Sequence, residues 1–220
     1  MDKEKVRTCI EEVGIIPGLR LFSADDARFA ADTVARAGIP IVEVTMTVPG
    51  ALDVIADLTA HNSQMIVGAG TVFDLETARR CLDAGASFLT STGLDVAVVA
   101  FAVKAGVAAL PGALTPSEVL AAWKAGADFV KIFPCAQVGG PAYIKALKAP
   151  FAHVPLIAAG GVNQQNAAEF IRAGASALGI GKDLIPQEAI QRRQAHRIEE
   201  LAHRYRAMIK TARAALAQVS

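Results

Sequence analysis

The chain has 220 residues, of which 53% are hydrophobic and 20% are charged, and this size and composition predict one compact domain over 1–220. The formal net charge is +1 and only 5% of the residues are aromatic. The chain therefore lacks both the basic field and the stacking rings that nucleic-acid binding uses, and we expect a small-molecule partner.

The N-terminal segment and the cysteine and histidine pattern exclude several further classes. MDKEKVRTCIEEV is charged and contains no apolar run that suits a signal peptide or a membrane span, so we expect a cytoplasmic protein with no membrane partner. Cys9, Cys81 and Cys135 are far apart and odd in number, which argues against a disulfide framework. The histidines lack HxH and HExxH spacing, so we expect no metal and no cofactor.

Eight buried strands can be placed along the chain. An Ala-Gly pair followed by a short apolar run recurs at 36–44, 83–91, 104–112, 124–132 and 172–180, and each copy is typical of a helix end, a glycine stop and a strand. Three further strands are predicted at Ile15–Leu21, Met65–Gly70 and Val154–Ala158.

Helices are predicted between these strands, at 24–37, 49–60, 74–85, 94–105, 115–125, 141–148 and 163–173. An extra N-terminal helix is predicted near 2–13 and a long final helix over Gln187–Ser220. Eight strands that alternate with eight helices predict a (β/α)8 TIM barrel of the α/β class. The alternative is an open doubly wound sheet, which usually has a GxGxxG motif after its first strand, and Ile15–Asp25 has none.

Lys131 is the residue in this pattern that most needs an explanation. It lies in the apolar run Asp128–Phe133, where an unpaired ammonium group is costly to bury. The side chain must reach a polar cavity or lose its proton, and a neutral lysine is an amine nucleophile. The alternative is an ordinary strand lysine whose ammonium group extends to the barrel rim.

Glu43 is a second ionisable residue in an apolar strand. Glu43 and Thr45 share one side of IVEVT, so both are predicted to point into the barrel. The carboxylate is interpreted either as an ion-pair partner of Lys131 or as a group that transfers protons beside an amine.

The active sites of parallel barrels form where strands end and βα loops begin, so those positions supply the other candidates. We select Arg20, Thr45, Thr47, Thr71, Pro111 and Phe133 as candidate substrate-binding residues. The loops AAGGVN (158–163) and GIGKD (179–183) follow the seventh and eighth strands, where barrels typically bind phosphate. Helices expected to begin near Asn163 and Lys182 would direct their positive ends to the anion. These loops predict a phosphate site made by Gly160, Gly161, Gly179, Gly181 and Lys182.

Six segments together resemble a known family. They are EVTMTVPGA (43–51), VGAGTV (67–72), PGALTPSE (111–118), FVKIFP (129–134), GGPAYIKALKAPF (139–151) and AAGGV (158–162). They are similar to the 2-keto-3-deoxy-6-phosphogluconate (KDPG) aldolase and 4-hydroxy-2-oxoglutarate (KHG) aldolase family of class I aldolases. The similarity extends from about Ile15 to Ile185.

The resemblance implies roles for individual residues. The family's Schiff-base lysine matches Lys131, its proton-transfer glutamate matches Glu43, and Thr71 matches a threonine of the pyruvyl pocket. Gly160 and Gly161 match the phosphate loop. A homotrimer that acts on a 2-keto acid and needs no cofactor is likewise implied.

The chain departs from the family pattern at several positions, which concern the substrate more than the chemistry. Thr47 stands where some members have an arginine for the substrate carboxylate, and Arg20 matches the arginine that other members place at the end of strand 1. Thr92, in STG, stands where a proline is common, and Lys182 stands where a serine is frequent. The galactonate epimer of the substrate is an alternative, as are a phosphate-binding barrel isomerase and a keto-acid binder without catalysis.

Overall fold

A computed structural model describes residues 2–218 and contains one parallel sheet. Its strands are β1 (Ile15–Leu19), β2 (Ile41–Thr45), β3 (Ile66–Gly70), β4 (Phe88–Thr90), β5 (Ala108–Leu110), β6 (Gly112–Ala113), β7 (Val130–Ile132), β8 (Leu156–Ala159) and β9 (Ala175–Ile180). They are ordered β5-β4-β3-β2-β1-β9-β8-β7-β6.

The first and last strands of this order are halves of one barrel strand. Only Pro111 separates β5 from β6; β5 pairs with β4, and β6 pairs with β7. The sheet therefore closes through the Leu110-Pro111-Gly112 backbone, and the predicted eight-stranded (β/α)8 barrel is confirmed. Proline has no N–H to donate, which explains the break in the pairing pattern at Pro111.

The helices surround this barrel. They are α1 (Lys3–Val13), α2 (Ala24–Arg36), α3 (Ala51–His61), α4 (Leu75–Asp83), α5 (Val96–Lys104), α6 (Pro116–Lys124), α7 (Pro141–Lys148), α8 (Ala167–Arg172), α9 (Gln187–Gln191) and α10 (Ala195–Ala217). Within residues 2–218, none of them combines the length and the apolarity needed to cross a lipid bilayer.

Short polar side chains determine where several helices begin. Ser23, Asp74 and Thr115 accept hydrogen bonds from backbone N–H groups in the first turns of α2, α4 and α6. The Thr115 N–H in turn donates to the Glu118 carboxylate at 2.7 Å, which completes a capping box. These contacts fix the ends of the βα loops that lead into the three helices.

The prediction of one final helix over Gln187–Ser220 is wrong within the described residues. The chain bends between α9 and α10 because Arg193 adopts a left-handed backbone conformation, with φ of 49°. The Arg193 guanidinium forms an ion pair with Asp26 at 3.1 Å and lies 4.9 Å from the centre of the Phe29 ring. Contacts with α2 therefore hold the bend. The predicted end at 219–220 lies outside the described residues.

Helix α1 packs across the end of the barrel where the strands begin. Asp128, which lies just before β7, is buried, and it accepts the Ala109 N–H at 3.0 Å. Lys3 forms an ion pair with Asp128 at 3.0 Å, and the Arg7 Nε lies 3.8 Å from the same carboxylate. The opposite end of the barrel, where the strands finish, is left open by this helix.

Candidate active site

A cavity of about 570 Å³ opens at the carboxyl ends of the strands. Its size falls in the range of small-molecule sites. The predicted candidates in its wall are Arg20, Glu43, Thr45, Thr47, Lys131, Phe133, Gly160, Gly161, Gly179, Gly181 and Lys182. The fold thus brings eleven of the thirteen candidates to one cavity, as the barrel geometry predicts.

Lys131 and Glu43 form a buried ion pair in this wall. The Lys131 Nζ donates to the two Glu43 carboxylate oxygens at 3.2 and 3.0 Å, and the two residues are only 7% and 6% exposed. Each charge therefore compensates the cost of burying the other. A proton that leaves the lysine finds Glu43 as its nearest acceptor, so the pair can expose a neutral amine to a ligand in the cavity.

The position of the Glu43 carboxylate depends on the absence of a Cβ atom at Gly70. A Cβ atom built on Gly70 would lie 2.1 Å from the Glu43 Oε1 and 2.5 Å from its Cγ. Gly68, two residues earlier in β3, makes similar room for Phe88. A Cβ atom built on Gly68 would lie 2.2 Å from the Phe88 ring. The two glycines of the GAG sequence in β3 therefore leave room for the Glu43 carboxylate and for the Phe88 ring.

A chain of hydroxyl groups fixes the end of β2. The Thr45 Oγ1 donates to the Leu19 carbonyl at 3.0 Å, and it lies 2.7 Å from the Thr47 Oγ1. A hydroxyl has one proton, so Thr47 is the donor in the second bond. The lone pairs of Thr47 remain able to accept a hydrogen bond from a ligand.

Arg20 follows β1 and provides a cation in the cavity wall. Its side chain is exposed, and within residues 2–218 no acidic side chain forms an ion pair with it. An unpaired guanidinium group can bind a carboxylate through two parallel hydrogen bonds. Arg20 and the buried lysine thus supply two different kinds of positive group to the same cavity.

The glycine loop after β8 approaches the cavity through positive φ values. Gly160 and Gly161 have φ of 83° and 86°. A Cβ atom would lie 2.8 Å from the Pro134 Cα at Gly160 and 2.4 Å from the Ala136 Cβ at Gly161. Glycine is required at both positions because the loop after β8 packs directly on the loop after β7.

The helix starts expected beside these loops are wrong. Asn163 and Asn166 form a side-chain turn, with the Asn163 N–H donating to the Asn166 Oδ1 at 2.8 Å, so α8 begins only at Ala167. After β9, the Ile185 N–H closes a single turn on the Gly181 carbonyl at 2.9 Å, and α9 begins at Gln187. Lys182 and Asp183 both lie in the cavity wall within this turn, and Asp183 was not a sequence candidate.

Two predicted substrate-binding residues lie outside the cavity wall. Pro111 interrupts strand five, as described above. Thr71 follows β3 with a positive φ of 63°, and its buried Oγ1 has no hydrogen-bond partner within residues 2–218. A buried hydroxyl without a protein partner is unusual, so the prediction that Thr71 binds a ligand remains open to experiment.

Thr92 is a wall residue that was not among the predicted site residues. A Cβ atom on Gly112 would lie 2.2 Å from the Thr92 carbonyl carbon, and Gly112 is the register partner of Lys131. The loop after β4 therefore folds over the strand pair that holds the lysine. Two features of the sequence pointed to Thr92. It lies at the end of strand 4, and it departs from the family pattern.

The cysteines lie outside the cavity wall. Burial raises the pKa of the Cys135 thiol to about 12 and that of Cys81 to about 11, so both are protonated near neutral pH. The Cys135 Sγ lies 3.5 Å from the Gly160 carbonyl and supports that loop. Within residues 2–218, no cluster of three or more His, Cys, Asp and Glu side chains has the arrangement of a metal site.

Known proteins are similar to this chain in sequence and in fold. A curated 2-dehydro-3-deoxy-phosphogluconate aldolase from Treponema pallidum is 32% identical over 181 residues, which is 82% of this chain and 86% of that protein. A solved KDPG aldolase from Legionella pneumophila, with pyruvate captured as a covalent carbinolamine intermediate, superposes with a TM-score of 0.84 at 27% identity. That match covers 90% of this chain and 96% of that one.

A solved protein cage, designed by fusing symmetric oligomeric domains, also contains this fold. It superposes with a TM-score of 0.85 at 30% identity, over 94% of this chain and 76% of that one. The model of the KDPG and KHG aldolase family matches residues 6–201. With the buried lysine and glutamate at the mouth of a closed barrel, this match shows that the chain belongs to the KDPG and KHG aldolase family, whose members are lyases.

Proposed function

We propose that this chain is a class I aldolase that cleaves KDPG to pyruvate and glyceraldehyde 3-phosphate, 4-hydroxy-2-oxoglutarate to pyruvate and glyoxylate, or both. The observation that carries the proposal is the buried contact of the Lys131 Nζ with Glu43, at 3.0 and 3.2 Å, in the wall of a cavity of about 570 Å³. The pair supplies a nucleophile and a proton carrier in one place.

The proposed reaction begins at Lys131. Its neutral amine attacks the C2 ketone of the substrate to form a carbinolamine, and loss of water leaves a protonated imine. Glu43, the acceptor nearest to the amine, supplies the proton that the departing hydroxyl needs. The imine then withdraws electrons from the neighbouring carbon atoms.

Glu43 carries protons in the remaining steps. It accepts the proton of the C4 hydroxyl, directly or through water, while the C3–C4 bond breaks and its electrons move into the imine. The aldehyde leaves, and a pyruvyl enamine stays on Lys131. Glu43 then returns the proton to C3, and water hydrolyses the imine to release pyruvate and free Lys131.

Arg20 is the proposed ligand of the substrate carboxylate, and Thr47 has a hydroxyl with free lone pairs close to the same wall. Thr45 holds Thr47 in place, and Phe133 supplies an apolar wall beyond Lys131. We keep Thr71 as a proposed part of the pyruvyl pocket on the family resemblance, and Pro111 as a proposed substrate-binding residue because it lies at the end of strand 5.

The two glycine loops and Lys182 form the proposed phosphate site. The N-termini of α8 and α9 lie further along the chain than the sequence predicts, so they do not support this site. The main support for the phosphate site is the positive charge of Lys182, together with the backbone of Gly160, Gly161, Gly179 and Gly181. A phosphorylated substrate suits a cavity that has Arg20 and Lys182 as separate cations. Phosphogluconate aldolases recur among relatives from Pseudomonas aeruginosa, Treponema pallidum and Haemophilus influenzae, which favours the gluconate acid over its galactonate epimer.

The proposal extends to the localisation and the oligomeric state of the protein. We infer a cytoplasmic homotrimer. The homotrimer rests on the family resemblance. The similarity to a cage assembled from symmetric oligomeric domains adds support for an oligomer.

Sodium borohydride and pyruvate together test the central step. We expect a reduced pyruvate adduct on the peptide that contains Lys131, seen by intact mass and peptide mapping. Lys131→Arg should abolish it, because a guanidinium group does not form an imine. Lys182→Gln is the matched control, since it removes the other lysine of the same wall and should keep the adduct. Pyruvate binding without any adduct would instead indicate an isomerase or a keto-acid binder.

Gly70→Ala tests the dependence on the carboxylate position. The added Cβ would meet the Glu43 Oε1 at 2.1 Å, so the carboxylate must move away from Lys131. We expect kcat/KM to fall by roughly 100-fold, the size of effect that misplacing a catalytic group by about 1 Å can cause. Gly93→Ala is the control, because its Cβ would meet nothing within 4 Å. Full activity in Gly70→Ala would contradict the proposed role of Glu43.

Arg20→Lys and Lys182→Gln separate carboxylate from phosphate recognition. Losing a two-pronged, charge-assisted contact costs about 1.5–3 kcal/mol, so Arg20→Lys should raise KM roughly tenfold or more for both KDPG and 4-hydroxy-2-oxoglutarate. Lys182→Gln should raise KM for KDPG alone, because only KDPG carries phosphate. Steady-state kinetics on both substrates measures these KM values. If Lys182→Gln raised KM equally for the two substrates, Lys182 would not be the phosphate ligand.

A further inference from the structure

A second concave site lies at the opposite end of the barrel from the aldolase cavity. A groove of about 510 Å³ is lined by α10 and by the last turn of α1, with Arg206, Lys210 and Arg213 as its cations and Glu12 as its acidic residue. Glu12 lies just before β1, and the arginines contact carbonyl groups of Ala37 and Ser176, near the starts of β2 and β9. The groove therefore shares no residue with the aldolase site.

The two arginines of this groove are held in fixed positions. The Arg206 Nη1 donates to the Ala37 carbonyl at 3.0 Å, and Arg213 donates to the carbonyls of Glu12 and Ser176 at 2.8 and 2.9 Å. Ala37 and Glu12 lie at the carboxyl ends of α2 and α1, where the helix dipole favours a cation. These contacts preorganise the guanidinium groups before any ligand arrives.

Glycine residues make room for both guanidinium groups. A Cβ atom on Gly14 would lie 2.7 Å from the Arg213 Nη2, and one on Gly38 would lie 2.4 Å from the Arg206 Nη1. Arg206 uses one and Arg213 two of the five N–H donors that a guanidinium group has, so most of their donors remain for a ligand.

The groove has three cations and one acidic residue, Glu12, and the charge of Glu11 also acts on Arg213. Within residues 2–218, none of Arg206, Lys210 and Arg213 forms an ion pair with an acidic side chain. Burial lowers the pKa of the Arg213 guanidinium, so its charge is partly desolvated although its hydrogen-bond partners are neutral carbonyls. Helix capping accounts for the two arginines, but it leaves Lys210, which is exposed and caps nothing, without a role.

We propose that this groove is a binding site for a small organic phosphate with at least two negative charges. Three cations on one helical face, at 206, 210 and 213, converge on a volume in the range of small-molecule sites. Val13 and Ile209 supply an apolar floor that suits the carbon skeleton of such a ligand. The proposal rests on the groove alone and is independent of the proposed aldolase substrate.

Inorganic pyrophosphate is the probe, titrated by calorimetry into full-length protein. The titration uses the Lys182→Gln background, so that the proposed phosphate loop of the aldolase cavity contributes little heat. We expect saturable binding that weakens as salt is added, because Arg206 and Lys210 are exposed charges. Lys210→Glu should weaken it at least tenfold, since it turns one of three attractive charges into a repulsive one.

Lys104→Glu is the matched control, because Lys104 is an exposed helical lysine that does not line the groove, and the substitution makes the same charge change. Thermal melts without ligand should be alike for both variants, which excludes unfolding as the cause. Equal affinities in Lys210→Glu and Lys104→Glu, or no saturable binding in either, would overturn the proposal. Because the readout is binding rather than turnover, its failure leaves the proposed aldolase function untouched.

Discussion

The buried contact between Lys131 and Glu43 is the interaction on which the rest of the site depends. Two opposite charges in a barrel interior are each costly alone, by several kcal/mol, and each is tolerable because the other is 3.0 Å away. A charge pair of this kind contributes little to stability compared with apolar packing. In the proposed mechanism, it contributes a nucleophile and a proton carrier that are already adjacent before substrate enters.

Glycine residues make the contact between Lys131 and Glu43 possible. Gly70 leaves the space that the Glu43 carboxylate occupies, and Gly112 leaves space for the loop that contains Thr92, beside Lys131. Gly160 and Gly161 let the loop after β8 pack on the loop after β7. The cavity is thus bounded by close backbone approaches, which leaves Lys131, Glu43, Arg20 and Lys182 as its charged groups together with Asp183. Positions built in this way tolerate few substitutions, because even one methyl group displaces a catalytic or binding element.

The fold was predictable because its signals are local. The Ala-Gly repeats and apolar runs fix strand after strand, and period-two alternation places Glu43 inside the barrel. The predicted pairing of Glu43 with Lys131, 88 positions apart, is confirmed by the geometry. Features that depend on distant contacts were missed. The bend at Arg193 is held by Asp26 and Phe29 on α2, and the late start of α8 follows from an asparagine turn. The end of strand 4 was a signal for Thr92, but its entry into the wall depends on the space that Gly112 leaves.

The most direct test of the central claim is exchange of the pyruvate methyl protons with deuterated water, followed by NMR. If Lys131 forms an enamine and Glu43 carries the proton at C3, the wild-type protein exchanges these protons. Lys131→Arg should then show no exchange above the buffer rate, and Glu43→Gln should slow it strongly while the protein stays folded. Exchange that is undiminished in Lys131→Arg would contradict the account, because it would show that the chemistry at C3 proceeds without the lysine.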